Sequence, residues 1–165
     1  MLALTRIVAT TDNGRVSDTS GLHDHLGYWL RRLSDEVHSR FESELSRHDV
    51  TVSQWGVMIS VHHGHDTTKA VAAHMDIDPG AVSRLVDRLA VKGLIRREPD
   101  PASRRTVRLV LTGQGQALVP VLAELADRND AHYFGSLDAG QRRQLEEWIR
   151  RLVGQTHPAP PPDAA

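Results

Sequence analysis

Arg84 and Arg88 stand four residues apart, and Arg104 and Arg105 are neighbours further along the chain. A guanidinium is a planar fork of donors that matches the O6/N7 edge of guanine or the oxygens of a phosphate. Ser83 adds a hydroxyl beside Arg84, and Thr68 and Lys69 supply a hydroxyl and an ammonium suited to phosphate. Pro79 and Gly80 are small and sit where a helix can begin, so an anion can approach the exposed N–H groups there. Together these groups offer hydrogen bonding and charge neutralisation rather than bond-making. No phosphate-cradling glycine loop, nucleophile elbow or His-Glu-x-x-His run occurs. No catalytic residue, cofactor or metal is therefore assigned, and His23-Asp24-His25 is too common a grouping to suggest catalysis.

The elements that must position these residues lie in 76–111, DIDPGAVSRLVDRLAVKGLIRREPDPASRRTVRLVL. Asp78 can cap a helix that Pro79 opens. Val82, Leu85, Val86 and Leu89 recur at helical spacing and make one apolar face, leaving Ser83, Arg84, Asp87 and Arg88 on the other. Gly93 stops the helix as a C-terminal glycine does. Leu94–Glu98 and Thr106–Leu111 read as strands, with residues 100–105 as an exposed turn carrying Arg104 and Arg105. A capped helix with a polar outer face, followed by a basic hairpin, outlines a winged helix-turn-helix. Its helix fits the DNA major groove, and its wing arginines suit a narrow A·T-rich minor groove. The plain alternative is a solvated helix face on which Arg84 pairs with Asp87, and a polar hairpin tip.

Net charge over the 165 residues is −1, which argues against a wholesale nucleic-acid coat. Charge is unevenly spread, however. Residues 84–108 hold eight cations against three anions, and phosphate neutralisation needs such a local excess rather than a basic total. The chain has no cysteine, which excludes disulfides, thiolate metal sites and a cysteine redox sensor. No window approaches the run of about 20 apolar residues that spans a membrane, and the first residues are too broken for a secretory signal. A cytoplasmic location is expected.

Around the winged segment the pattern is helical. Leu22, Leu26, Trp29, Leu30, Leu33, Val37, Phe41 and Leu45 form a long stripe, broken at His48–Thr51. Ser53 can cap the next helix, with Trp55, Val57, Met58, Ile59 and Val61 apolar. Thr67 or Thr68 can cap a short helix to about Met75. That helix, the turn at 76–78 and the helix from Pro79 form a helix-turn-helix. Thr112 caps another long helix that contains Pro120. Asp138 and Gln141 make a capping box for a last helix with Leu145, Trp148, Ile149, Leu152 and Val153. Terminal helices with apolar stripes would pack onto a twofold mate. The dimer would then present two reading helices to successive major grooves, about 34–36 Å apart.

Ten histidines are many, and His62, His63 and His65 cluster beside Asp66, with His23 and His25 near the front helix. Imidazoles and a carboxylate can hold Zn²⁺, but the loop cluster lacks the one-turn spacing that converges ligands from a helix. Solvated histidines are the plainer account, and a pH-dependent binding step is a third. His25, Tyr28, Trp29 and Trp55 are candidates for lining an effector cavity, against the simpler reading of core packing.

The chain resembles the MarR family of bacterial transcriptional regulators over roughly residues 22–153. Three stretches carry the likeness: LGYWLRRLSDEVHSRFESEL, DPGAVSRLVDRLAVKGLIRREPDPASRR and VRLVLTGQGQAL. The middle one is specific, since its helix, Lys-Gly-Leu-Ile turn and Asp-Pro-x-x-Arg-Arg wing keep the family's order and spacing. The resemblance implies a homodimer that binds a palindromic operator as repressor or activator, often released by a small anionic or aromatic ligand. In one position the chain departs from the pattern. The family's wing usually carries an aspartate, in an Asp-x-Arg arrangement, where this chain has Ser103. Serine accepts only a weaker hydrogen bond than a carboxylate, so either Arg104 or Arg105 is open as the groove-entering residue.

The expected fold is mainly α, a central winged domain with a two-stranded wing flanked by N- and C-terminal dimerisation helices. The expected divisions are a flexible arm at 1–20, a dimerisation helix at 21–48, and the winged DNA-binding domain at 49–112. Dimerisation helices at 113–153 and a Pro/Ala-rich disordered tail at 154–165 follow. The expected partners are double-stranded DNA, a second copy of the chain and a small aromatic or anionic ligand, with no membrane. The rival readings are a zinc-responsive regulator using the histidine clusters and a non-catalytic protein-interaction module.

Overall fold

Side-chain caps set where most of the helices begin. The computed structural model describes residues 19–100 and 103–156, with the side chains of 103–106, 155 and 156 outside the description. Nearly all of the expected arm, and the tail from residue 157, lie outside the described residues. The chain divides into two compact units, residues 1–34 and 35–165.

In the first unit a 3-10 turn, Leu22–Asp24, precedes α1 (Leu26–Ser46), which continues into the second unit. The expected helix from Leu22 therefore starts four residues late. The Gly21 N–H donates to Asp24 Oδ2 at 2.8 Å, which closes a tight turn. His25 then lies extended (φ −96°, ψ 123°), so α-helical geometry begins only after it.

In the second unit the turn that follows α1 passes through a left-handed Asp49 (φ +55°). Helix α2 (Val52–His62) is capped by Thr51 and not by Ser53. Thr51 Oγ1 accepts from the Gln54 N–H, and Gln54 Oε1 accepts from the Thr51 N–H, each at 3.2 Å. Gln54 three residues on decides the cap, because only Thr51 can form this reciprocal box. Helix α3 (Thr68–Met75) starts at Thr67, whose hydroxyl accepts from the Ala70 N–H. Asp76, left-handed at φ +52°, turns the chain towards α4 (Pro79–Val91). Asp78 caps α4 by accepting from the Ala81 N–H at 2.9 Å, worth about 0.5–2 kcal/mol. Gly93 (φ +70°) closes α4: its N–H reaches Ala90 O and the Leu94 N–H reaches Leu89 O, as in a Schellman end.

Strands β1 (Ile95–Asp100) and β2 (Ser103–Leu111) pair antiparallel, from Ile95 opposite Leu111 to Pro99 opposite Val107. The register then shifts, and Asp100 faces Ser103. Arg104 and Arg105 therefore lie on β2 rather than in a six-residue turn. Cross-strand pairing carries the ladder past Thr106 and Val107, whose β-branched types favour extension. Helix α5 (Gly113–Phe134) is capped by Thr112, and α6 (Ala139–Thr156) by the Asp138–Gln141 box. Helix α6 thus runs past Val153 into the segment expected as tail.

One core holds the second unit. Val57 and Met58 of α2, Val71 of α3, Val82, Val86 and Leu89 of α4, Ile95 and Leu109 of the sheet, and Val119 and Leu122 of α5 are buried together. Each fully buried side chain of this kind contributes about 1.5–3 kcal/mol. Towards its other end α5 meets the rear of α1, where Asn129 Nδ2 donates to Val37 O and Tyr133 Oη to Glu36 O. The architecture is mainly α with one two-stranded sheet, as the sequence led one to expect.

Candidate nucleic-acid interface

The buried face of α4 fixes which side chains turn outward. Val82, Val86 and Leu89 are anchored in the core, so Arg84, Asp87 and Arg88 are exposed and Ser83 is half-buried at the edge. Asp87 does not neutralise its arginine neighbours. It pairs instead with Arg97 of β1, Oδ1 to Nη1 at 2.7 Å, and Arg97 Nη2 also donates to Ser83 O at 3.4 Å. Among the described residues neither Arg84 nor Arg88 pairs with a carboxylate. Two uncompensated guanidinium groups thus stand on one exposed helix face, at a spacing that spans one turn.

Pro79 and Gly80 are exposed at the start of this helix. The Asp78 carboxylate lies close to Gly80: a Cβ there would stand 2.8 Å from Asp78 Oδ2. Lys69 is exposed on the first turn of α3, and Thr68 beside it is half-buried. All of these positions belong to the α3–turn–α4 unit. Arg104 and Arg105 sit on β2 at the far end of the hairpin from the core, and their side chains lie outside the description.

Other cations of the basic segment are occupied within the fold, which sequence reading missed. Arg96 Nε contacts Glu98 Oε1 at 2.5 Å. Arg108 Nε donates to Asp66 Oδ2 at 2.7 Å, and the Leu109 N–H donates to Asp66 O at 2.6 Å, tying the α2–α3 loop to β2. Lys92 reaches Asp49 and Gln54. With Arg97, four of the eight cations in the segment therefore pair with carboxylates of the fold. Among the described side chains, Arg84 and Arg88 are left for a ligand.

The histidines take other partners. His65 stacks on His74 with ring centroids 4.1 Å apart, His62 lies beside His63, and Asp66 is engaged by Arg108. Among the described residues no three His, Asp or Glu side chains converge as a metal site. In the first unit the His23 ring stands 4.7 Å from Tyr28 and 5.7 Å from Trp29, and Trp29 Nε1 donates to His23 O. His25 contacts Ser20 Oγ at 3.5 Å, and Trp29 is about half exposed (48%). Trp55 lies in the buried core of the second unit. No described helix is long and apolar enough to cross a membrane.

Comparison with known proteins agrees with this geometry. A sequence model of the MarR family matches residues 48–106, which include the helix-turn-helix, β1 and part of β2. The transcriptional regulator YhbI of Bacillus subtilis is 30% identical over 114 residues, covering 68% of this chain and 71% of that protein. The transcriptional repressor NicR of Pseudomonas putida is 24% identical over 131 residues, covering 79% and 83%. Among solved structures, a mutant MarR from E. coli in complex with operator DNA superposes with a TM-score of 0.71 at 25% identity. That match covers 81% of this chain and 99% of that one. With α3 and α4 as its helix-turn-helix and β1–β2 as its wing, the chain belongs to the MarR family and is a DNA-binding transcriptional regulator.

Proposed function

We propose that this regulator is a homodimeric repressor of a palindromic operator. In this reading α4 enters the major groove, the wing enters the flanking minor groove, and a small aromatic or anionic effector modulates the complex. The observation that carries it is the outer face of α4, where Arg84 and Arg88 are exposed and no described carboxylate pairs with them, Asp87 being held by Arg97. Arg84 and Ser83 read base edges, while Arg88, Lys69, Thr68 and the backbone at Pro79 and Gly80 meet phosphate. The name of NicR as a repressor supports that sign of regulation. Acting on a chromosome, the protein works in the cytoplasm. The aromatic cluster of Tyr28, Trp29 and His23, with His25 nearby, supports an effector that is itself aromatic.

The dimer rests on apolar surface that a lone chain leaves in water. Leu26, Trp29, Leu30 and Leu33 of α1 are exposed, and so are Trp148, Ile149, Leu152 and Val153 of α6. A groove of about 350 Å³ between the end of α5 and α6 adds Phe134, Leu137 and Leu145. Exposed apolar helix faces of this kind on a small protein are usually interaction sites. In this scheme residues 21–48 and 113–153 form the dimerisation helices and 49–112 read DNA. Trp148→Asp with Ile149→Asp should give a monomer by sedimentation velocity and lose most operator affinity. A dimer of unchanged stability would remove α6 from the interface.

Replacing Arg104 and Arg105 with alanine should weaken operator binding and lower the salt slope of log Kobs by about two, with dimer stability unchanged. Unaltered affinity would end the minor-groove role of the wing. The reading as a whole is tested by selecting duplexes from a random pool with the purified protein. A palindrome with half-sites about one helical turn apart, bound by two chains, is expected. Selection of no sequence, or of a single half-site by one chain, would contradict it.

A further inference from the structure

Lys92 follows the last helical residue of α4, inside the basic segment, and its position alone would make it one more phosphate ligand. The structure turns it the other way. Its side chain is only 25% exposed, and Nζ donates to the backbone carbonyl of Asp49 and, at 3.2 Å, to Gln54 Oε1. The Asp49 carboxylate stands 3.2 Å away as the counter-charge. These partners lie about forty residues back along the chain, at the corner where α1 ends and α2 begins. Asp49 itself lies in the left-handed region (φ +55°), which aspartate enters more readily than most residues with a Cβ. Gln54 Oε1 also accepts from the Thr51 N–H that opens α2, and the Val52 N–H donates to Glu42 of α1.

We infer that Lys92 is a positioning residue for DNA reading: it clamps the C-terminal end of α4 to the α1–α2 corner, and does not itself neutralise phosphate. The ammonium donates to a carbonyl and to an amide oxygen and stands as an ion pair with a carboxylate, so its charge is met within the fold. The other end of α4 is set by the Asp78 cap, and its middle by Arg97 holding Asp87 and Ser83 O. Lys92 supplies the third fixed point. A helix held at three points keeps Arg84 and Arg88 at a constant angle to the groove, and loss of one point costs affinity through misplacement rather than through charge.

The inference rests on the reading of α4 as the DNA-contacting helix, and the two can fail separately. The test uses the full-length protein and a duplex operator selected from a random pool, read by fluorescence anisotropy over a range of salt. The variants are Lys92→Met, Lys92→Arg and, as a phosphate reference, Arg88→Met. If wild type binds no duplex, the DNA reading itself fails. With wild-type binding in hand, Lys92→Met should weaken the complex by about tenfold, the size of one charge-assisted hydrogen bond. Its salt slope should stay at the wild-type value. Arg88→Met should lower that slope by about one. Lys92→Arg should recover much of the affinity, because a guanidinium can still reach Asp49. A slope reduced by about one in Lys92→Met, or wild-type affinity in that variant, would overturn the inference. Asp49→Asn gives an independent sign in a folded protein, since the Asp49 side chain is 87% exposed. Removing the counter-charge should weaken operator binding if Lys92 is a clamp. Equal or tighter binding would mean that the freed lysine reaches phosphate, and the inference would be wrong.

Discussion

Gly115→Ala is expected to destabilise the fold by about 3 kcal/mol, against the sign that helix propensity alone would give. Gly115 lies in the first turn of α5, where alanine would normally gain about 0.5–1 kcal/mol over glycine. Here the space is already taken. A Cβ at Gly115 would stand 2.1 Å from the carbonyl oxygen of Leu94 and 3.1 Å from its carbon. That carbonyl cannot swing aside freely, because it accepts from the Thr112 N–H at 3.1 Å, and Thr112 also caps α5 through its hydroxyl. Leu94 is buried at the junction of α4 and β1, so displacement would reach the end of α4 and the base of the wing together. Urea unfolding of the purified variant measures the loss. A change within about 0.5 kcal/mol would mean that α5 shifts away at little cost and the close approach is not required.

The second large effect is on binding. The double variant Arg84→Ala, Arg88→Ala should lose roughly a hundredfold in operator affinity, near 3 kcal/mol, with unfolding unchanged. Folding should be indifferent, because both side chains are exposed and no described ion pair depends on them. The two losses should differ in kind. Arg84→Ala alone should relax discrimination between operator and scrambled duplex. Arg88→Ala alone should weaken both duplexes alike and lower the salt slope by about one. Equal losses on both duplexes from Arg84→Ala would remove it from base readout.

Local signals explain why so much of the helix-turn-helix could be anticipated. Asp78, Pro79, the stripe Val82–Val86–Leu89 and Gly93 act within one helix, so start, buried face and stop follow from spacing. Thr112 and the Asp138–Gln141 box are equally local. The cap of α2 was legible too: Gln54 three residues after Thr51 is the signature of a capping box, and Ser53 has no such partner. What composition could not separate was the work of individual cations. Arg97, Arg108 and Lys92 have the same sequence appearance as Arg84 and Arg88, yet they find Asp87, Asp66 and Asp49 across the fold. Pairings over such separations belong to tertiary structure, and no window of sequence encodes them. The need for Gly115 is of the same sort, since it appears only once Leu94 is placed against α5. The wing was read too short because Arg104 and Arg105 look like turn residues, whereas pairing with β1 carries β2 back to Ser103.

The exposed guanidinium face of α4 is the centre of this account, and a salt titration of wild type and Arg84→Ala tests it most directly. Each protein would be titrated by fluorescence anisotropy against a selected operator and a scrambled duplex of equal length. Wild type should bind the operator far more tightly, with a steep fall in log Kobs as salt rises, and Arg84→Ala should lose about 1–3 kcal/mol of that preference. Wild-type binding that ignores sequence, or an Arg84→Ala protein that keeps the full preference, would contradict the assignment of α4 as the reading helix.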